Sequence, residues 1–357
     1  MKKLNKDKTI VSIVGIRPDF IRMSNIFKLL DKNFKHILIH SGQHFDKNLS
    51  NVFFEEFGIR DPDYNLSIGG FGKEHFHQTA DLSVKIIELF RSKNIDPDLV
   101  LFLGDSNSAS CSVSLKKEGY KIGHIEAGMR SGDKRMLEEI NRTVCDHCSD
   151  YLFVYHKNYK KKLIKENINK KSIYVVGNTI VEVCNEFAKK ILKKQKKDDY
   201  ILLDIHRPEN FKYKDRMEWI IKYANMCFEK YKKPIKMLNF KRTITNINSF
   251  AIELKNIEII DLMNYKDYLN FVYNCKFIIS DSGTSQEEPA LLNTKVIVPR
   301  DFTERPESVD NNCSFMLNDK NFNLSFQWLE SDSKIETKWM GKGKTAKKII
   351  SIIKKQL

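Results

Sequence analysis

Asp105, Glu126 and Glu138, with Arg130 and Arg142 close by, are the residues of this 357-residue chain whose types and spacing best suit proton transfer. Asp105 follows the apolar run Leu101-Phe102-Leu103-Gly104, Glu126 follows His124-Ile125, and Glu138 opens Glu138-Glu139-Ile140-Asn141-Arg142. Apolar runs that stop abruptly at an acid read as buried parallel strands. Such strands deliver side chains to the carboxyl edge of a sheet, where open α/β folds bind ligands. Like charges gathered there raise at least one pKa toward neutrality, so one carboxyl can act as base while another stays protonated as acid. The two arginines can hold such a cluster together, and a structural ion-pair network is the competing reading.

Other turns carry groups suited to anions and hydroxyls. Gly15-Ile16-Arg17-Pro18-Asp19-Phe20-Ile21-Arg22 puts a glycine at a strand end, a proline in the first turn of a helix, and two arginines that can converge on phosphate. An ordinary strand-to-helix turn with exposed arginines fits the same residues. Ser280 to Ala290 reads as a strand end, a small-residue turn and a helix. The backbone N–H groups from Ser282 through Gly283 and Thr284 to Ser285 would cradle an anion, and Glu288 would accept from a ribose diol. Glutamates early in a helix also serve its macrodipole without any ligand. His206-Arg207-Pro208-Glu209 follows another strand, with His206 placed to stabilise charge as a bond to a diphosphate breaks. Ser41-Gly42-Gln43-His44 ends a further strand with side chains suited to sugar hydroxyls.

These turns need strands behind them. Strand-like runs at 9–14, 36–40, 99–103, 121–125, 151–154 and 173–176 alternate with amphipathic stretches such as 78–91, which predicts a parallel, doubly wound sheet. The pattern restarts after Gly177-Asn178-Thr179, with runs at 200–203, 235–239, 257–260, 277–280 and 295–298. The predicted architecture is α/β, two Rossmann-like doubly wound domains facing a cleft: residues 1–178, with a C-terminal helix at 342–357 packing back on them, and 179–341. At this length two domains are the default, and each can bury a substantial core.

The formal charge of +15 admits nucleic acid, membrane or an anionic small substrate as partner. Most of the excess is lysine spaced with apolar residues at helical period, as on solvated helix faces, and no aromatic-rich basic stripe is present; neither nucleic acid nor membrane is expected. Seven scattered cysteines in apolar segments read as reduced thiols of a cytoplasmic protein. Cys145-Asp146-His147-Cys148 looks like a metal cluster, but no second Cys/His pair at zinc spacing follows, so no metal is expected. The amino-terminal apolar run, broken by Arg17-Pro18-Asp19, reads as a first strand rather than a signal peptide.

Taken in order, Gly15 to Arg22, Ser41 to His44, Gly104-Asp105-Ser106, Glu126 to Arg130, Glu138 to Arg142, Gly177-Asn178-Thr179, His206 to Asn210, Asp281-Ser282-Gly283, Gln286-Glu287-Glu288 and Thr303 to Glu307 resemble the motifs of the non-hydrolysing UDP-N-acetylglucosamine 2-epimerases over nearly the full chain. The resemblance implies the two-domain GT-B architecture and interconversion of UDP-GlcNAc and UDP-ManNAc without cofactor or metal. UDP would be eliminated to a 2-acetamidoglucal and re-added, supplying a surface-polysaccharide precursor. It further implies Asp105, Glu126 and Glu138 as acid/base carboxylates and His206 as assistant to UDP departure. Arg17, Ser282 and Arg305 would hold the diphosphate, Glu288 the ribose, and Tyr268 would lie near uracil. Arg22, Gln43, His44, Arg142, Gly283 and Thr284 complete the implied substrate site, and a homodimer is the implied assembly. Ile16, Asp19 and Pro208 depart from the usual motifs. Asp105 to Ser108 and Asp133-Lys134-Arg135 look like the branch acting on UDP-2-acetamido-2,6-dideoxy-L-hexoses, so that substrate, or a GT-B glycosyltransferase activity, is the alternative.

Overall fold

Short runs of branched and aromatic residues form the strands, and their burial on both faces is what a parallel sheet covered by helices requires. The structure is a computed structural model that describes residues 6–42, 54–68, 74–133 and 136–357. Two compact units result, residues 1–183 with 340–357, and residues 184–339.

Among the described residues, the first unit holds a seven-stranded parallel sheet in the order β3-β2-β1-β4-β5-β6-β7. Its strands are β1 (Thr9–Val14), β2 (Lys35–His40), β3 (Tyr64–Asn65), β4 (Leu99–Leu103), β5 (Ile122–Ile125), β6 (Tyr151–Val154) and β7 (Ile173–Val175). Val11, Ile13, Val100 and Phe102 face Leu82, Ile86 and Phe90 of the helix His75–Ser92, which is the core on one side of this sheet. The helix Thr345–Gln356 belongs to this unit, with Ile349, Ile350 and Ile353 buried and Lys354 Nζ 2.6 Å from Asn33 Oδ1.

The second unit holds a parallel sheet in the order β10-β9-β8-β11-β12-β13, six strands among the described residues. These are β8 (Tyr200–Asp204), β9 (Ile235–Leu238), β10 (Ile257–Ile260), β11 (Cys275–Ser280), β12 (Val296–Val298) and β13 (Ser314–Met316). Ile201, Leu203, Phe277 and Ile279 pack with Met217, Ile220 and Ala224 of the helix Lys214–Tyr231.

The expected α/β class with two doubly wound parallel sheets is therefore observed. The short strands β3 and β13, unforeseen in the sequence, sit at sheet edges. In both sheets the strand order reverses once, between β1 and β4 and between β8 and β11. At such a switch point neighbouring crossovers leave in opposite directions, opening a crevice at the carboxyl ends of the strands.

Candidate functional site

In the first unit the switch point carries Gly15 to Asp19 after β1 and Gly104 to Ser106 after β4. Pro18 and Asp19 start the helix Arg17–Asn33, and Asp19 Oδ2 accepts from the backbone N–H of Gly15 at 3.1 Å and Ile16 at 3.3 Å. Ser106 Oγ reaches the same oxygen at 3.2 Å, tying the two turns together. Burial pushes the Asp19 carboxyl up to about 7; the Gly15, Ile16 and Ser106 donors pull against it, and the charge of Asp105 adds to it.

Asp105 is ion-paired with the buried Arg142, whose other nitrogen donates to Glu139 Oε2 at 3.0 Å. Glu126 is ion-paired with the buried Arg22. Glu126 itself has φ 72°, a left-handed conformation disfavoured for a residue with a Cβ, and such strain persists where surrounding structure enforces it. Its N–H and that of Ala127 both donate to Phe153 O, at 3.1 and 3.4 Å.

This arrangement corrects the expected cluster in several respects. Asp105 and Glu126 each take a separate arginine, and the carboxyl brought near neutrality is Asp19, which sequence reasoning treated only as part of a phosphate turn. Glu138 is half-buried at the second position of the helix Leu137–Cys148, whereas its neighbour Glu139 is buried, shares Arg142 with Asp105, and accepts from the N–H groups of Ser131 and Gly132. Arg130 does not pair with Asp105, Glu126 or Glu138; it pairs with Asp146 at 2.8 Å and Glu166 at 2.7 Å. Arg17 and Arg22 do not converge, because residues five apart on a helix differ by about 140° around its axis. Arg17 is exposed while Arg22 is buried against Glu126. Ser41 and Gly42 follow β2, and Gln43 and His44 lie outside the described residues.

In the second unit the switch point joins Asp204 to Arg207 with Asp281 to Ser285. The buried Asp281 accepts from the N–H groups of His206 and Arg207, both at 3.0 Å, and from Asn210 Nδ2 at 2.9 Å. His206 Nδ1 lies 2.9 Å from Asp204 Oδ1 and 3.6 Å from Asp281 Oδ1, and its ring packs on Phe240. Burial works against the imidazolium, but Asp204 and then Asp281 outweigh it and raise the His206 pKa. Both carboxylates thus hold the ring through Nδ1. Neither aspartate was nominated as a site residue, although each stands at the end of a strand.

Ser282 N–H is occupied by Ser280 Oγ at 3.1 Å, so the anion cradle expected from 282 to 285 is reduced at its first position. The expected helix is a 3₁₀ turn, Thr284–Gln286, and a short helix, Glu288–Leu291. A Cβ at Gly283 would come within 2.6 Å of the Arg305 guanidinium and 2.8 Å of Glu304 Oε1, so any larger residue there has to displace that buried ion pair. Arg305 is buried, paired with Glu304 and with Glu287 at 2.9 Å, and so braces the turn from below. Glu288 accepts from the buried Tyr265 hydroxyl at 2.7 Å, a partner sequence reasoning missed, and Tyr268 OH lies 3.3 Å from Ser285 Oγ. A cavity of about 620 Å³ lined by Lys276, Lys295 and Lys334 lies toward the amino ends of these strands and includes none of the motif residues. Among the described residues no group of three or more His, Cys, Asp or Glu is arranged to hold a metal, and no helix is long and apolar enough to cross a membrane.

Residues 28–354 match the family described as UDP-N-acetylglucosamine 2-epimerase. A Methanococcus maripaludis protein named UDP-N-acetylglucosamine 2-epimerase is 35% identical, covering 96% of this chain and 97% of that one. The crystal structure of the Methanocaldococcus jannaschii UDP-GlcNAc 2-epimerase in complex with UDP-GlcNAc and UDP superposes with a TM-score of 0.89 at 33% identity, over 97% of this chain and 99% of that one. A Pseudomonas aeruginosa UDP-2,3-diacetamido-2,3-dideoxy-D-glucuronate 2-epimerase is 31% identical over 84% of this chain and 85% of its own length.

Proposed function

The chain belongs to the UDP-N-acetylglucosamine 2-epimerase family, and from that premise we propose that it is an isomerase inverting C2 of UDP-N-acetylglucosamine to give UDP-N-acetylmannosamine. The reading rests on one observation, the acids at the carboxyl ends of β4 and β5 with an arginine pairing each, Asp105 with Arg142 and Glu126 with Arg22.

The C2 proton of the sugar is not adjacent to a carbonyl, so its removal has to be coupled to departure of a stabilised anion. A carboxylate takes that proton, the C2–H electron pair becomes the C1–C2 double bond, and the C1–O bond breaks with its pair leaving on UDP. Return of UDP to C1, with a proton delivered to C2 from the opposite side, completes the inversion. Asp105, Glu126 and Glu138 supply the acid and base. His206, whose cationic form Asp204 and Asp281 favour, stabilises the departing diphosphate. Arg17 and the turn at Ser282, Gly283 and Thr284, braced by Arg305, bind the diphosphate, and Glu288 and Tyr268 bind the nucleoside. Assembly as a cytoplasmic homodimer belongs to the same reading, and light scattering of the purified chain tests the dimer.

Relatives named UDP-N-acetylglucosamine 2-epimerases support this substrate over the 6-deoxy-L-hexose and over glycosyl transfer. Incubation with UDP-GlcNAc in heavy water should place deuterium at C2 in both epimers, and Asp105→Asn should abolish exchange. Absence of label across a panel of UDP-N-acetylhexosamines would refute the proposal.

A further inference from the structure

We propose that the buried pair His124–Asp146 is a bracket that positions both acid-bearing turns, those of Asp105 and Glu126, at once. This rests on the proposed function for the role of those acids. His124 lies on β5, fully buried, with Nε2 2.7 Å from the carbonyl oxygen of Gly104 and Nδ1 2.7 Å from Asp146 Oδ1. Asp146 extends the connection: its Oδ2 accepts from Gly128 N–H at 3.1 Å and from Arg130 at 2.8 Å. One end therefore grips the residue before Asp105, and the other grips the residue two beyond Glu126.

Both gripped turns need a grip. Gly104 has φ 68°, Glu126 72° and Gly128 78°, so each turn contains left-handed backbone, and Glu126 holds it despite its side chain. Backbone in that region relaxes unless neighbours over-determine it.

The chemistry of the contacts also fixes the state of the ring. A carbonyl oxygen can only accept, and so can an ionised carboxylate, so both ring nitrogens must carry protons. Burial disfavours that cation, but Cys145 and Asp146 on the facing helix overrule it and hold the His124 pKa well above its ordinary value. Asp146 is likewise kept ionised against burial by His124 and Arg130. The titratable groups around the ring are the Cys145 thiol and Asp146 and, through Asp146, Arg130 and Glu166. Cys145-Asp146-His147-Cys148, with its metal-like appearance in sequence, contributes Asp146 to this bracket.

His124 and Asp146 are positioning residues, and three substitutions separate the ends of the bracket. His124→Asn keeps an amide donor near the Nδ1 site facing Asp146; His124→Gln keeps one near the Nε2 site facing Gly104. Each should lower kcat for C2 exchange by roughly 100-fold, the scale of a misplaced catalytic group, while KM for UDP-GlcNAc changes by about twofold or less. In Asp146→Asn the imidazolium loses its counter-charge, so the alkaline limb of the pH–rate profile should move to lower pH. Circular dichroism and a cooperative urea transition confirm that each variant is folded. Nitrogen-15 spectra of histidine-labelled wild-type protein should show both His124 ring nitrogens protonated at neutral pH. Wild-type kcat in either folded His124 variant overturns the proposal, as does a singly protonated ring. If the unaltered chain exchanges no C2 proton, the proposed function fails, while the nitrogen spectrum still decides the bracket.

Discussion

Asp19 carries the clearest consequence at the scale of single residues. Its carboxyl is raised from 3.8 to about 7 by burial, with Asp105 adding to the shift. The folded chain therefore holds a proton that the unfolded chain releases between those values. Stability contributed by this group is complete below about pH 4, falls as pH rises, and is lost above about pH 7. Asp19→Asn keeps an acceptor for Gly15, Ile16 and Ser106, because all three bond one oxygen. Urea denaturation should find the variant about as stable as wild type near pH 4 and more stable near pH 8. Equal stability at pH 8 would show that the carboxyl ionises without cost. Asp105 and Glu126 were legible in the sequence because each ends an apolar strand. Asp19 and Glu139 were not: their roles come from what surrounds them, namely a hydroxyl from Ser106 and an arginine from the next helical turn.

Elements act here by where they stop. The turn after β5 closes on the helix Lys157–Lys165, and a Cβ on Gly128 would come within 2.9 Å of Tyr159 O as well as forcing a side chain to φ 78°. Gly128→Ala should cost about 1–3 kcal/mol of stability, read by chemical denaturation, and should lower C2 exchange more than UDP binding. Most strands were legible from apolar runs bounded by Gly, Pro or acid. β3 and β13 were not, since two or three residues at a sheet edge carry too little periodicity to register. The segment after Gly283 was expected to be a longer helix. Pro289 near its start and Asn293 in a left-handed conformation at its end confine it to one turn, Glu288–Leu291.

At the scale of the whole molecule, the chain leaves the first unit near residue 183 and returns at 340. The return is secured by Thr345 Oγ1, 3.3 Å from Val176 O and 3.2 Å from Asn178 O, by Glu182 accepting from Ala346 N–H at 2.7 Å, and by the apolar face of the last helix. Ile349 is fully buried there. Ile349→Ala should lower the stability of the first unit by about 2–5 kcal/mol, as large-to-small core changes do; an unchanged denaturation midpoint would mean that the helix is dispensable to that unit. The amino-acid sequence by itself determined the fold class, both sheets, the family likeness and the strand ends that bear acids, because periodicity and punctuation are local properties of a chain. Only the tertiary structure decided which arginine neutralises which acid, which carboxyl sits near neutrality, and that His124 joins two turns. Those outcomes depend on burial and on distances of a few ångströms between residues far apart along the chain, and no local pattern encodes them.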